Sequence, residues 1–163
     1  MFMKRSILLA AVIVISILAT GVHAQNQEPM ALGVVGINEV LKEYPIFNRY
    51  KTAYKPNQAA IEYLQSYRRN VTVKVFLGTW CIDSIRNVPA YLKTKEILGD
   101  SNYKTTYIGV NRDRSDGAGM TRAYNVTTSP TFIFEIDGRE VGRITQKPRK
   151  TIEEDMVDIL RVQ

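Results

Sequence analysis

The feature that most constrains this chain is the run Val71-Thr-Val-Lys-Val-Phe-Leu-Gly-Thr-Trp-Cys-Ile-Asp-Ser-Ile-Arg-Asn-Val-Pro89. Residues 71–77 are mostly apolar and β-branched and read as a buried strand. Gly78-Thr79 breaks that strand. From about residue 81 to residue 98 the apolar spacing turns helical, with Ile85, Val88, Leu92 and Ile97 on the inner side. Thr79 or Trp80 then lies next to the N-cap, and Cys81 falls at or near the first helical position. Unpaired backbone N–H groups and the positive end of the helix dipole converge there. A thiol in that place ionises more readily, and the thiolate is the nucleophile. Cys81 is also the only cysteine in the 163 residues.

A strand, then Trp-Cys-x-x-(Cys/Ser), then a helix carrying a proline eight residues after the cysteine resembles the thioredoxin-like proteins. Trp80, Cys81, Ser84 and Pro89 stand at the matching positions. A second match is Val126-Thr-Thr-Ser-Pro-Thr-Phe-Ile-Phe134, followed by Asp137-Gly138 and Val141-Gly142. The family carries a Pro-Thr pair there, ahead of a strand, a tight turn and another strand. The resemblance covers about residues 65–163. It implies an α/β thioredoxin-like fold, a central mixed sheet flanked by helices. It also implies that Cys81 is the nucleophile and that Pro130 is a cis-proline beside it. Ser129 is then the residue whose backbone pairs with a bound peptide. Trp80 would shield the thiol, although packing alone explains it equally well. An ordinary trans turn proline is the alternative to that reading of Pro130.

The chain departs from the family in three places. Ser84 stands where a dithiol enzyme has its resolving cysteine. Three residues beyond Cys81, it shares a helix face with it and can donate to a thiolate, but it cannot attack a mixed disulfide. A plain first-turn serine is the alternative. Ile82-Asp83 replaces the usual Gly-Pro; Asp83 favours a helix start but opposes ionisation of Cys81, and Arg86 at i+3 could pair with it. Val75 occupies the position of the family's buried acid, so acid and resolving thiol are missing together.

Residues 1–24 stand apart. Lys4 and Arg5 precede an apolar run over 6–19, and Val22-His23-Ala24 offers the small residues a signal peptidase reads. A signal peptide cleaved before Gln25 is expected, hence export to the periplasm or the extracellular space. An uncleaved membrane anchor is the alternative, since the run is at the short limit for a span. No cysteine follows it, so a lipid-anchored form is not expected. Residues 25–163 then form one thioredoxin-like domain, with 25–69 an N-terminal helical extension.

Removing Lys4 and Arg5 leaves 20 basic residues (22 minus 2) against 16 acidic ones, a mature charge of +4. The basic residues are scattered, so no nucleic-acid partner is expected. The single histidine, His23, leaves with the leader. That removes the commonest metal ligand and the usual general base, and neither a metal nor a cofactor is expected. One cysteine cannot form an internal disulfide, so the thiol is either inert or reactive.

Along the rest of the chain, residues 25–30 read as loose. A short helix is expected over 37–44, stopped by Pro45, and another over 57–69 with Pro56 at its start. Tyr44, Tyr50, Tyr54, Tyr63 and Tyr67 line either a partner surface or the edge of a core. A turn at 99–102 leads to a strand over 103–110 and a charged loop over 111–119 that does not fit a calcium site. A short helix over 120–125, a hairpin over 131–144 around Asp137-Gly138, and a helix from Thr151 to 162 complete the order. Ile152, Met156, Ile159 and Leu160 face inward in that last helix, with Glu153, Glu154 and Asp155 in its first turn. Asn70-Val-Thr72 and Asn125-Val-Thr127 are glycosylation sequons, relevant only in a eukaryotic secretory pathway.

The functional expectation is thiol–disulfide exchange through a single cysteine, by mixed-disulfide formation with protein or small-molecule thiols and disulfides. Isomerisation or capture of client thiols suits one cysteine better than net reduction. The rival reading is a non-catalytic peptide-binding module, its groove formed around Trp80, Ser129 and Pro130.

Overall fold

The structure, a computed structural model, describes residues 30–99 and 102–163. The expected leader (1–24) lies outside the described residues, as do residues 25–29 and part of the 99–102 turn. Five strands form one sheet: β1 (Gly33–Val35), β2 (Val71–Leu77), β3 (Tyr103–Gly109), β4 (Thr131–Ile136) and β5 (Arg139–Thr145). Among the described residues six helices accompany it: α1 (Ile37–Glu43), α2 (Pro45–Ala53), α3 (Gln58–Ser66), α4 (Ile82–Leu98), α5 (Met120–Ala123) and α6 (Ile152–Arg161). None of these helices is long and apolar enough to cross a membrane.

The strand order is β1-β3-β2-β4-β5. β2 is central, parallel to β3 and antiparallel to β4. The parallel step is made by α4, the crossover such a pair requires. β1 runs antiparallel to β3, and β5 closes the hairpin on β4. The alternation of strand side chains divides the interior in two. Val71, Val73, Val75, Leu77, Phe132 and Phe134 face the main core with Val88, Tyr91, Ile152, Met156 and Leu160. Phe76, Ile108, Val110, Val126 and Ile133 form a smaller cluster on the opposite face, with Met120 and Tyr124 against it. Each large apolar side chain fully buried here contributes about 1.5–3 kcal/mol.

Several sequence expectations shift. Pro45 does not only end α1; it sits at the first turn of α2, where its missing N–H costs nothing and its φ is already helical. α3 is capped by Asn57, whose side chain accepts from Ala60 N at 3.1 Å, and so starts after Pro56. β1 has no counterpart in the expected order. Ile97, placed inward on α4, is 40% exposed, while Tyr91 is fully buried and shares a 2.6 Å hydrogen bond with Thr105 Oγ1. Glu153 and Asp155 are buried rather than displayed in the first turn of α6. Of the tyrosines, Tyr44, Tyr54, Tyr63 and Tyr67 pack against the main core, and Tyr50 is exposed.

The extension is fastened to the core by Glu153. Its carboxylate accepts from Tyr54 Oη at 2.8 Å, from Asn57 N at 2.7 Å and from Thr94 Oγ1 at 3.5 Å. Burial, then the neighbouring Glu153, pushes the Tyr54 hydroxyl well above its ordinary range, so it stays protonated and donates.

Candidate functional site

The site forms where β2 ends and α4 begins. Leu77, Gly78 and Thr79 are all buried, so the chain turns inside the protein before it surfaces. The turn is closed by Cys81 N donating to Gly78 O at 3.0 Å. Cys81 is the N-cap of α4, one position before the first helical residue. Its carbonyl takes the first helical bond, from Ile85 N at 2.9 Å, while its side chain makes no cap hydrogen bond. The thiol is half-buried, and Sγ donates to Ser129 O at 3.1 Å. Residues 48 positions apart thus meet at one point.

Ser129 precedes Pro130 through a cis peptide bond. The Ser129 hydroxyl lies 3.0 Å from Ser84 Oγ, and Ser84 is fully buried. Ser84 Oγ also accepts from Gly78 N at 3.1 Å. The partners of Ser84 are therefore the turn and Ser129, which nothing in the sequence signals; donation to a Cys81 thiolate is one of two sequence readings there. Ser84 ties three segments together: the turn after β2, the first turn of α4 and the loop before β4.

Trp80 is half-buried and fixed by Nε1 donating to Val110 O at 2.9 Å. Its indole lies across Gly78, where a Cβ would come within 2.7 Å of the ring. Only glycine leaves that room, which explains Gly78 better than the breaking of a strand. The Arg112 guanidinium lies over the Trp80 ring at 5.4 Å from its centroid. Sequence reasoning missed Arg112 because it belongs to a loop that looks merely solvated. The loop is ordered instead by Asn111, whose Oδ1 accepts from Ser115 N at 2.8 Å, and by the buried Asp116. Asp116 accepts from Met120 N and Thr121 N, both at 3.1 Å. Burial works against its ionisation, but these N–H groups outweigh it and hold the carboxyl below the ordinary carboxylate range.

On the other flank, Asp83 Oδ2 accepts from Gln146 Nε2 at 3.1 Å. Asn87 Nδ2 donates to Gln146 O at 2.9 Å, so the segment after β5 lies along the start of α4. Arg86 is exposed, and the Asp83 carboxylate meets Gln146, where a pair with Arg86 was one possibility. The structure thus brings together Trp80, Cys81, Ser84, Ser129 and Pro130, with Asp83 at the rim. Val75 is fully buried among apolar residues. No cluster of metal-binding side chains occurs among the described residues.

No known protein-family profile matches the chain, and no curated protein sequence matches it. Solved structures do. A protein of unknown function from Pseudomonas aeruginosa superposes with a TM-score of 0.59 at 18% identity, over 80% of this chain and 91% of that one. An HIV epitope-scaffold superposes with a TM-score of 0.56 at 16% identity, over 78% of this chain and 82% of that one. A thioredoxin from Schistosoma mansoni is similar at 21% identity and a TM-score of 0.41, over 67% of this chain and 93% of that one. At these identities the likeness concerns fold. From β2 onward the order is strand, helix, strand, short helix, hairpin, helix around a five-stranded mixed sheet, and the fold is thioredoxin-like.

Proposed function

We propose that the chain is an exported thiol–disulfide exchange protein that works through Cys81 alone. The Cys81 thiolate attacks one sulfur of a substrate disulfide. That S–S bond breaks, the displaced sulfur leaves as a thiolate that takes up a proton, and Cys81 holds the other half in a mixed disulfide. Ser84 supplies no second sulfur. Release therefore needs the client's own freed thiol, which is isomerisation without net electron transfer, or a small-molecule thiol. Trp80, Ser129 and Pro130 form the surface on which the client lies, and the site calls for no metal or cofactor. The export is read from residues 1–24.

The observation that carries this reading is the position of Cys81. It is half-buried at the N-cap of a 17-residue helix, with Sγ 3.1 Å from Ser129 O, beside the loop that ends in Pro130. A merely structural cysteine has no need of that junction.

The test is turnover of a protein disulfide driven by a reductase that regenerates only dithiols. Wild type is expected to reduce the substrate poorly and to accumulate as a covalent adduct on a non-reducing gel, absent in Cys81→Ser. Ser84→Cys is expected to restore part of the net reduction, incompletely because Val75 provides no buried acid. Wild type turning over as fast as Ser84→Cys sinks the monothiol mechanism. No adduct in wild type together with an inert Ser84→Cys leaves the peptide-binding reading in its place.

A further inference from the structure

We infer that the partner disulfide preferred by Cys81 carries carboxylates beside the sulfur it presents, and that Arg112 is the residue that selects it. The inference rests on the thiol-exchange reading above and specifies its substrate class.

Three observations carry it. First, Arg112 is exposed yet positioned: its guanidinium lies over Trp80, the residue next to Cys81, and Trp80 is itself pinned to Val110 O and to Gly78. A guanidinium whose centre lies 5.4 Å over an indole is held near the thiol by the ring, and the structure gives its N–H donors no carboxylate partner among the described residues, so they can bind an incoming carboxylate in a fork. Second, the opposite flank is also cationic. Lys147 is exposed on the segment that Asn87 and Gln146 hold against α4, and Arg86 is exposed on α4 itself. Third, Asp83, the carboxylate on that flank, is already engaged by Gln146, and Asp113 follows Arg112 and precedes Arg114 in an exposed stretch of the loop. Arg112 thus stands on the Trp80 side of the thiol, and Arg86 and Lys147 are exposed on the side where Gln146 lies along α4. A group approaching Cys81 past Trp80 meets positive potential, which raises the local concentration of anionic partners.

The step itself is unchanged: one mixed disulfide forms, one S–S bond breaks, and one thiolate leaves. The readout is therefore selectivity. The full mature chain is reacted with 5,5′-dithiobis(2-nitrobenzoate), a dicarboxylate, and with 4,4′-dithiodipyridine, which is neutral. The ratio of the two rate constants is divided by the same ratio for the chain unfolded in urea, which removes the intrinsic chemistry of the probes. A matched pair of disulfide-linked peptides, flanked by Asp or by Asn, separates polypeptide from small-molecule partners. At low salt the folded protein is expected to favour the anionic probe about fivefold, falling towards parity at high salt. Arg112→Glu is expected to erase at least half of that preference, and Arg112→Gln part of it. A preference in the peptide pair alone assigns a polypeptide client; one in the aromatic pair alone assigns a small molecule. Equal selectivity in folded and unfolded chains, or an Arg112→Glu variant with the wild-type ratio, overturns the inference while leaving the thiol reading intact. Reaction of the folded chain with neither probe overturns both.

Discussion

Two helices of this molecule begin in opposite ways. α6 opens with a complete capping box: Glu154 N donates to Thr151 Oγ1 at 3.4 Å, and the Glu154 carboxylate accepts from Thr151 N at 3.2 Å. Glu153, Glu154 and Asp155 all add negative charge to its first turn. Asp155 also reaches back to accept from Arg149 N at 2.7 Å and Lys150 N at 3.2 Å. α4 is longer, yet its N-cap is Cys81, with no cap hydrogen bond from the side chain, and its single first-turn acid is Asp83. One start is satisfied internally and serves stability. The other leaves its positive end beside a thiol, the place the proposed function gives to the nucleophile. The same backbone device serves fold in one place and, under the proposed function, chemistry in the other.

The largest expected effect lies at the satisfied end. Glu153→Ala leaves Asn57 N–H and the Tyr54 hydroxyl without their acceptor at the seam between extension and core. Each such loss costs about 1–3 kcal/mol, so a total destabilisation of about 2–6 kcal/mol is expected in urea unfolding. The alkylation rate of Cys81 in the folded protein should not move. A change in that rate would mean that the two helix starts are coupled, and the contrast drawn above would fail.

Thr151→Ala is the smaller, cleaner cut. It removes one cap acceptor and its half of the box, with an expected cost of about 1 kcal/mol. Thermal unfolding measures it, and a cost indistinguishable from zero would show that Glu153 and Asp155, rather than the box, hold the start of α6.

How much of this was legible in the sequence follows from how local each signal is. β2, the turn and α4 could be read because strand composition, Gly78 and helical spacing are contiguous. The hairpin β4–β5 could be read from Asp137-Gly138, where both residues adopt positive φ. β1 could not: it has only three residues, exists by pairing with β3, and its nearest sequence neighbours carry no strand period. Glu153 looked like a first-turn charge because its partners, Tyr54 and Asn57, lie 99 and 96 residues away. That Cys81, Ser84, Ser129 and Pro130 lie together could be read from the paired motifs, and the structure brings them into one place. The bond between Ser84 and Ser129 could not, since nothing in the spacing says which of two neighbours a hydroxyl will choose. Arg112 was missed because its loop reads as merely charged and solvated, and nothing in the spacing links it to Trp80.

The smallest expected effect is the sharpest test of the comparison. Cys81→Ser places at the start of α4 the kind of residue that already starts α6. A serine at the N-cap accepts from the second or third helical N–H, here Asp83 or Ser84, which cysteine leaves without a side-chain acceptor. Its hydroxyl can still donate to Ser129 O, as the thiol does. Two effects oppose the gain: the shorter C–O bond shifts the donor relative to Ser129, and a half-buried sulfur gives up some apolar contact. Cys81→Ala shares the loss of sulfur but offers no cap, so the difference between the two variants isolates the cap. Serine is expected to exceed alanine by about 0.5–2 kcal/mol in urea unfolding, and to match or slightly exceed the wild type. That result would mean that the native chain gives up stability at this one position to keep a thiol there. Serine and alanine variants of equal stability would instead mean that the first N–H groups of α4 are already satisfied, and the thiol would then gain nothing from its place at the helix start.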